Sequence, residues 1–346
     1  MPAHNYLFNF AASFSSGGYK RLHEYARWFD AAGGASFIIH PRCEHLRGEF
    51  SRNRYFIVRQ GVLRRLFDDC GYLRAIEGAG GSPDFYYSYG IPLYHRVGRI
   101  GWFHLSNVLP MMPWSAPMSL TDRCKFALLG RRMRAGYRFA DVISVESSSS
   151  IDAIGSVDAA RAFVSVNGSD HELAVIAGRR AAPADPVATV VGTYRYKALG
   201  DSLRVFEMLR AANPGLELHV FGNPDWVKDE VRDAAGVRIR GTVPRGELIE
   251  TLQRSRFYIS TTLIENSYNA ASEGVFCAEQ SYVSDIGPHR ELLAGMPVER
   301  VNVPGVAAAL LHLRRADLDA ARLKTWDEVI RDMLARYEAA RQENER

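Results

Sequence analysis

The chain has 346 residues, of which 47% are hydrophobic and 24% charged, a composition typical of a globular protein and a length that allows two domains. Its four cysteines show no pairing or CxxC spacing, and no signal peptide or apolar run of transmembrane length is recognisable, which argues against a disulfide-rich secreted protein and an integral membrane protein. The net charge of +4 is uneven, because residues 1–180 carry 22 Lys and Arg against 15 Asp and Glu while residues 181–346 carry 21 against 24, so we expect an anionic partner for the first half.

Short β-rich runs and helical stretches alternate along the first half of the chain. The sequence predicts strands at 6–10, 35–40, 54–59, 84–89, 100–105, 141–146 and 163–167. It predicts helices between them, at 18–31, 60–79, 119–138 and 147–156. Alternation of this kind is typical of an α/β fold in which parallel strands are covered by helices on both faces.

A glycine-containing segment, FNFAASFSSGGYKRL (8–22), joins the first predicted strand to the first predicted helix. Gly17 and Gly18 would let backbone N–H groups approach an anion, which the positive end of the helix dipole also favours. The dinucleotide pattern GxGxxG and the Walker pattern GK[ST] are both absent. The segment is therefore either a phosphate-binding loop or an ordinary turn before a helix.

Other polar positions of the first half carry two interpretations each. His104 ends the predicted strand 100–105, where it would face a ligand or serve as a packing residue. Basic residues interleave with apolar ones in DRCKFALLGRRMRAGYRFADV (122–142) and in QGVLRRLF (60–67). The arginines concerned are Arg64, Arg65, Arg131, Arg132, Arg134 and Arg138. These helices either present solvated basic faces or dock on anionic lipid.

The second half repeats the alternation after an Ala- and Pro-rich segment at 177–188, which we interpret as an interdomain linker. Strands are predicted at 188–192, 216–222, 237–241, 256–261, 282–285 and 300–303, with helices between them and a long polar helix from about 317 to the end. The sequence thus predicts two doubly wound domains, 1–180 and 181–324. Such domains bind ligands at the carboxyl ends of their strands, so a cleft between them is the expected active site.

Two segments of the second domain carry candidate binding residues. In VVGTYRYKALGDSLRVF (190–206), Arg195 and Lys197 precede a helix, an arrangement that suits a diphosphate or belongs to a solvated loop. In ENSYNAASEG (265–274), Glu265 lies before a helix that Ser267 or Asn269 would cap, and Glu273 lies inside it. Eight helical residues span about 12 Å, too far for one metal ion. The two carboxylates are therefore either surface charges or a pair that binds hydroxyl groups of one ligand, with the N–H groups of the helix start between them.

Three of these segments together resemble glycosyltransferase family 4. ENSYNAASE (265–273) is similar to its E-x7-E motif, SVNGSD (165–170) to its PNGVD segment, and VGTYRYKALG (191–200) to its VGR…KG segment. The three occur in the order of the family. This chain departs from the pattern where Asn266, Ser267 and Tyr268 replace Gly-Phe-Gly, and where Thr193 replaces the arginine.

The resemblance implies the GT-B fold, in which two Rossmann-like domains face each other across a cleft and a C-terminal helix, here about 325–346, returns to the first domain. It implies that Glu273 holds the ribose, Glu265 the donor sugar and Lys197 the diphosphate. His104, Lys197 and Glu265 would be the catalytic residues. The implied donor-binding residues are Gly17, Gly18, Arg195, Lys197, Thr242, Val243, Glu265, Asn266, Ser267, Tyr268, Asn269 and Glu273.

The implied activity is a retaining transfer from a nucleotide-diphosphate sugar to a glycan or lipid-linked acceptor, as in bacterial surface-polysaccharide biosynthesis. It needs no bound metal and no cofactor besides the donor. The expected location is cytoplasmic, with peripheral contact to an anionic membrane. Two alternatives stay open: another enzyme on the same fold, such as a sugar-nucleotide epimerase, and a nucleotide- or nucleic-acid-binding module that uses the basic half. No nucleic acid is expected as a partner, because RNA-binding signatures are absent.

Overall fold

The computed structural model describes residues 5–59, 82–112, 117–155, 157–169, 184–318 and 323–346. The chain forms two compact units. The first comprises Met1–Trp114, Ser119–Gly168 and Thr325–Arg346, and the second comprises Ser115–Met118 and Ser169–Lys324. The predicted helix at 60–79, with Arg64 and Arg65, lies outside the described residues, as does most of the predicted linker.

The first unit contains a sheet of seven parallel strands in the order β3-β2-β1-β4-β5-β6-β7. The strands are β1 (Tyr6–Asn9), β2 (Ser36–Ile39), β3 (Arg54–Ile57), β4 (Phe85–Tyr89), β5 (Ile100–His104), β6 (Val142–Val145) and β7 (Ala162–Val164). The strand order reverses between β1 and β4, which is where doubly wound sheets bind ligands. The predicted strands of this half are all present.

Helices cover this sheet. They are α1 (Ser16–Ala31), α2 (Leu46–Glu49), α3 (Leu120–Gly136), α4 (Ile151–Ile154) and the C-terminal helix (Trp326–Glu345). The core between strands and helices is aromatic: Phe8 has its ring centre 5.2 Å from that of Phe37 and 5.6 Å from that of Tyr25. Aromatic pairs at these separations add packing energy to the area they bury.

The C-terminal helix belongs to the core of the first unit. Its buried residues Trp326, Ile330, Met333 and Tyr337 pack in the same cluster as Phe8. The helix begins later than the predicted position near 317, because Thr325 forms a capping box with Glu328 that fixes its start.

The second unit contains another seven-stranded sheet, in the order β10-β9-β8-β11-β12-β14-β13. Its strands are β8 (Asp185–Val191), β9 (Glu217–Phe221), β10 (Val237–Gly241), β11 (Ser255–Ser260), β12 (Gln280–Ser284), β13 (Glu299–Val301) and β14 (Leu310–Arg314). β14 runs antiparallel to both of its neighbours and was not predicted from the sequence. The order reverses between β8 and β11.

Two clusters of buried side chains cover the two faces of this second sheet. Alternate residues of β11 separate between them: Phe257 and Ile259 join one cluster and Tyr258 joins the other. The first cluster includes α5 (Leu199–Ala212) and α6 (Asp229–Arg232), and the second includes α7 (Arg245–Arg254), α8 (Asn269–Cys277) and α9 (Gly287–Leu292). Both units are therefore Rossmann-like.

Candidate functional site

The switch point of the second sheet brings two of the predicted site residues together. Lys197 lies in a 3-10 turn (Arg195–Lys197) after β8, and Glu265 lies in the loop after β11. The Lys197 ammonium donates a hydrogen bond to Oε1 of Glu265, and the two side chains are 12% and 21% exposed. The pair is thus partly shielded from solvent but still reachable by a ligand.

Glycine permits this position of Lys197. Gly192, the first glycine of the motif-like segment, has a φ of +97°, and a Cβ built on it would lie 3.1 Å from Cε of Lys197. A side chain at Gly192 would therefore be both strained and in the way of the lysine stem.

The turn that carries Lys197 is strained and is held by two threonines. Ala198 has a φ of +48° and is the one non-glycine with positive φ among the described residues. Thr261 donates through its hydroxyl to the carbonyl oxygens of Ala198, at 3.0 Å, and Lys197, at 3.2 Å. Thr262 donates to the carbonyl of Tyr196 at 3.3 Å. Strained backbone persists where surrounding contacts over-determine it, and it concentrates at functional sites.

A buried histidine extends this network to the next strand. His289 is 1% exposed, and its Nδ1–H donates to the Ser284 carbonyl at 2.8 Å. The Ser284 hydroxyl donates in turn to the Thr262 carbonyl at 2.6 Å. Burial lowers the pKa of His289, so the ring is neutral at pH 7. The ends of β8, β11 and β12 are therefore linked by hydrogen bonds.

The second carboxylate of the motif is also paired with a cation. Glu273 lies inside α8 and Glu265 before it, as predicted, and Oε1 of Glu273 accepts a hydrogen bond from Arg245 at the start of α7. The Glu273 side chain is 12% exposed, whereas that of Arg245 is 42% exposed. The carboxylate is thus fixed within the fold, and its partner can be displaced by a ligand.

α8 begins at Asn269, near the predicted position, but its capping residue differs from the prediction. The N-cap position is Tyr268, with no side-chain cap, so neither Ser267 nor Asn269 caps the helix. The Ser272 N–H makes the first helical bond, to the Tyr268 carbonyl at 2.7 Å. The N–H groups of Asn269, Ala270 and Ala271 therefore have no acceptor within the helix and point past its start.

The remaining donor-side candidates differ in accessibility. Asn266 and Ser267 are buried, while Tyr268 and Asn269 are half-buried. Arg195 and Thr242 are exposed and Val243 is half-buried. Backbone contacts are thus the way in which Asn266 and Ser267 can reach a ligand, whereas Arg195 and Thr242 can use their side chains.

In the first unit, the two candidate glycines lie within the helix rather than before it. Gly17 and Gly18 occupy the first turn of α1, which begins at Ser16. A Cβ on Gly18 would lie 3.2 Å from Cβ of Ser13 and 3.3 Å from Cε1 of Tyr89. Gly18 therefore allows α1 to start close to the end of β4, at the switch point of the first sheet.

His104 is fully buried beside the same switch point. Its Nδ1 lies 2.7 Å from the Ser144 hydroxyl and its Nε2 lies 3.4 Å from Oε1 of Glu146, which also accepts from the Tyr89 hydroxyl at 3.0 Å. A carboxylate only accepts, so we assign the proton to Nε2 and let Nδ1 accept from Ser144. His104 is 0% exposed and therefore has no solvent-facing nitrogen to offer a sugar.

A buried arginine supplies the charge of this cluster. Arg21 is 0% exposed and lies 3.9 Å from Glu146, and its guanidinium also donates to the Asn167 side chain and the Ser165 carbonyl. Burial and Arg21 lower the pKa of His104 to about 4, while Glu146 opposes them. Burial alone would raise the pKa of Glu146, but the hydrogen bond from His104 and the charge of Arg21 outweigh it. The net effect is a lowered pKa, so the carboxylate stays ionised.

Sequence reasoning missed several of these residues. Arg245 follows a turn and begins a polar helix, which reads as a surface position. Arg21 follows Lys20 in an amphipathic stretch and therefore resembles a surface cation. Thr261 and Thr262 directly follow β11 and carry no charge that would mark them as binding residues. Their positions near the ends of strands and the starts of helices could have indicated them, because doubly wound folds bind ligands at the carboxyl ends of their strands.

The basic helix has a mixed surface. In α3, Leu129 and Met133, two of the apolar residues between the arginines, are buried in the first unit and are not available for contact with lipid. Arg131, Arg132 and Leu128 are exposed. In the described parts of the chain no helix is long and apolar enough to span a membrane, and no group of three or more His, Cys, Asp or Glu side chains can hold a metal ion.

Comparison with solved structures identifies the architecture. Anabaena HepE, solved in complex with UDP and glucose, has a TM-score of 0.59 and 14% identity and is similar over 98% of each chain. Sucrose-phosphate synthase from Thermosynechococcus elongatus has a TM-score of 0.64 at 12% identity, over 99% of this chain and 94% of its own. A glycotransferase of kitacinnamycin has a TM-score of 0.50 at 14% identity, over 100% and 96%.

The chain has the GT-B fold. The predicted fold class, two Rossmann-like domains with the C-terminal helix returned to the first, is confirmed. No protein-family model matches the sequence, and no curated protein sequence is significantly similar to it. At these identities the similarity establishes the fold.

Proposed function

We propose that the chain is a glycosyltransferase that takes a sugar from a nucleotide-diphosphate donor. One observation carries this proposal: Glu265 and Glu273 lie on either side of the start of α8, beside the switch point, and each is paired with a cation from a neighbouring loop or helix. The solved structures of HepE with UDP and with UDP-glucose, on the same fold, support it.

The two ion pairs divide naturally among the parts of such a donor. Sugar and ribose hydroxyls donate hydrogen bonds, which a carboxylate accepts, so Glu265 would hold the donor sugar and Glu273 the ribose. The diphosphate would draw Lys197 away from Glu265 and would also meet the N–H groups at the start of α8. Arg195, Thr242 and Val243 would line the nucleotide.

Catalysis in this arrangement is electrostatic. As the nucleoside diphosphate leaves, negative charge grows on its phosphate oxygens, and Lys197 is held where that charge develops. The acceptor hydroxyl would lose its proton to the leaving phosphate on the same face of the sugar, which retains the anomeric configuration. His104 would act within the first unit, where its ring stacks on Tyr89, by positioning Tyr89 and the start of α1 rather than by touching the sugar.

The acceptor is proposed to be a glycan or a lipid-linked glycan of a bacterial surface polysaccharide, assembled on the cytoplasmic side of the membrane. Exposed Arg131 and Arg132 on α3 support contact with anionic lipid. Flotation with phosphatidylglycerol vesicles tests this part: the wild type should float at low salt, and the charge-reversed variant Arg131→Glu/Arg132→Glu should not. A wild type that stays at the bottom at low salt removes the membrane from the proposal.

The donor is tested by a thermal-shift and calorimetric screen of nucleoside diphosphates and nucleotide sugars. Loss of a hydrogen bond to a charged group costs about 1.5–3 kcal/mol, so Glu273→Ala should weaken binding by roughly tenfold to a hundredfold. Lys197→Ala should mainly lower turnover, by about 10²–10³. Glu247→Ala is the matched control, because Glu247 pairs with Arg240 as Glu273 does with Arg245.

Two further readouts define the reaction. NMR of the product should show the anomeric configuration of the donor sugar, and turnover should persist in EDTA, because the proposed transfer uses Lys197 in place of a metal ion. Formation of an epimerised nucleotide sugar without transfer would point to the epimerase alternative. If no nucleoside diphosphate stabilises the protein, the glycosyltransferase proposal fails.

A further inference from the structure

A group of three aromatic side chains lies beside Lys197 in the second unit. We call Tyr194, Tyr196 and Trp226 the aromatic platform. The rings of Tyr194 and Tyr196 are stacked, with centres 5.3 Å apart and planes 7° apart, and Trp226 lies 4.6 Å from Tyr194 at 42°. Lys197 Nζ lies 5.9 Å from the centre of the Tyr196 ring, so the platform continues directly from the Lys197–Glu265 pair.

The outer members of the platform face solvent. Tyr194 is 43% exposed and Trp226 is 48% exposed, although both carry large aromatic rings. Large exposed aromatic side chains at the ligand-binding edge of a sheet are typical of binding surfaces rather than of solvated loops.

The platform is held in place before any ligand arrives. The Thr193 hydroxyl donates to the Asn223 carbonyl at 2.9 Å, which ties the Tyr194 loop to the Trp226 loop. Gly222, with a φ of +140°, lets the two loops approach, because a Cβ there would lie 2.9 Å from Thr193. Asn223 caps the 3-10 turn Pro224–Trp226 by accepting from the Asp225 N–H at 3.0 Å. A preformed surface loses little entropy when it binds.

We propose that the aromatic platform is a glycan-binding subsite, in which one sugar ring of the bound glycan packs its C–H face against Trp226 and Tyr194. Such a ring is apolar on its faces and carries hydroxyls around its edge, so it needs an aromatic surface with hydrogen-bonding groups beside it. The exposed side chains of Tyr194 and Asp225 supply a hydroxyl donor and a carboxylate acceptor beside the rings. On the proposed function, on which this step rests, that glycan is the acceptor.

A nucleobase is the competing occupant, and the geometry disfavours it. Glu273 and Arg245, where the ribose is proposed to bind, belong to α8 and α7 on one face of the second sheet. Tyr194 and Trp226 lie in the loops that lead to α5 and α6, which cover the other face. A base attached to a ribose on Glu273 therefore stays on the α7–α8 side, away from the platform.

The test measures binding of neutral hexasaccharides by saturation-transfer NMR. The probes are maltohexaose, cellohexaose, mannohexaose and chitohexaose, offered to the wild type and to Trp226→Ala, Tyr194→Ala and Trp226→Phe. Met208→Ala is the control, since Met208 is 37% exposed on the same unit but outside the platform. Removing one stacked ring should weaken binding by roughly twofold to tenfold. Trp226→Phe should retain most of the affinity.

The outcomes separate this inference from the proposed function. Binding of at least one hexasaccharide that falls in the two alanine variants and not in Met208→Ala supports the platform as a glycan subsite. No binding of any of the four, or binding that ignores Trp226, overturns it. UDP, GDP and ADP affinities are measured on the same samples. If they fall with Trp226→Ala, the platform holds the base and the inference is wrong. If no nucleotide binds but a hexasaccharide does, the transferase proposal fails and the subsite stands.

Discussion

The left-handed conformation of Ala198 makes a sharp prediction about stability. Ala198 has a φ of +48°, which costs an L-residue with a Cβ roughly 1–2 kcal/mol. Replacing it with glycine removes that cost and adds back about 0.5–1 kcal/mol of backbone entropy lost on folding. Ala198→Gly should therefore raise the free energy of unfolding by about 0.5–1 kcal/mol.

The matched control is the same chemical change in an ordinary helix. Ala335 is exposed in the middle of the C-terminal helix (Trp326–Glu345), where glycine costs about 0.8–1 kcal/mol. Urea unfolding of the wild type and both variants, followed by circular dichroism, compares the two midpoints. Ala198→Gly should move the midpoint up and Ala335→Gly should move it down.

A shift of the urea midpoint in the same direction in both variants would refute this reasoning. If Ala198→Gly lowers the midpoint as Ala335→Gly does, then position 198 is not left-handed in solution, or its strain is absorbed elsewhere. The quoted family segment VGR…KG has glycine after its lysine, where this chain has Ala198. A gain in stability with glycine would show that this chain carries a strained turn beneath Lys197.

Three further predictions follow from particular contacts. Gly274→Ala should lower the free energy of unfolding by about 1–3 kcal/mol, because its Cβ would lie 2.4 Å from the Tyr258 ring; thermal unfolding measures it, and an unchanged midpoint would contradict it. The pKa of His104 is about 4 in the fold against about 6.5 in the unfolded chain, so its share of stability is complete above pH 6.5 and is lost as the pH falls towards 4, by about 3 kcal/mol. Melts at pH 7 and 4.5 should show this loss, and His104→Asn should reduce it. Thr261→Val should lower turnover more than nucleotide affinity, because the hydroxyl that bonds to the carbonyl oxygens of Ala198 and Lys197 is lost. Thr261→Ser keeps the hydroxyl and should retain turnover. Equal losses of turnover in both variants would assign Thr261 to packing.

The fold was predictable where hydrophobic period and local order agree. Alternating strand and helix patterns are enough to predict both doubly wound sheets. β14 (Leu310–Arg314) was missed because LLHLR follows a loop and reverses direction, which no local pattern announces. The start of the C-terminal helix was misplaced because its polar face continues the preceding polar sequence, and the capping box at Thr325 decides the boundary.

The candidate site was predictable in its charged motif residues and not in the groups that hold them. Glu265 and Glu273 could be placed before and inside a helix because the spacing and the apolar context are local. Their partners could not: Arg245 precedes Glu273 by 28 residues and meets it only through the packing of α7 on α8. Arg21 likewise pairs with Glu146 only because α1 begins at the edge of the sheet where β6 ends.

The C-terminal helix has a consequence for how the protein is made. Its buried residues Trp326, Ile330, Met333 and Tyr337 complete the core that begins with Phe8. During synthesis, the whole second sheet leaves the ribosome before that helix does. The amino-terminal sheet must therefore wait, with part of its apolar face uncovered, while the domain that starts later can finish first. The second unit therefore has all of its residues available for folding before the first unit does.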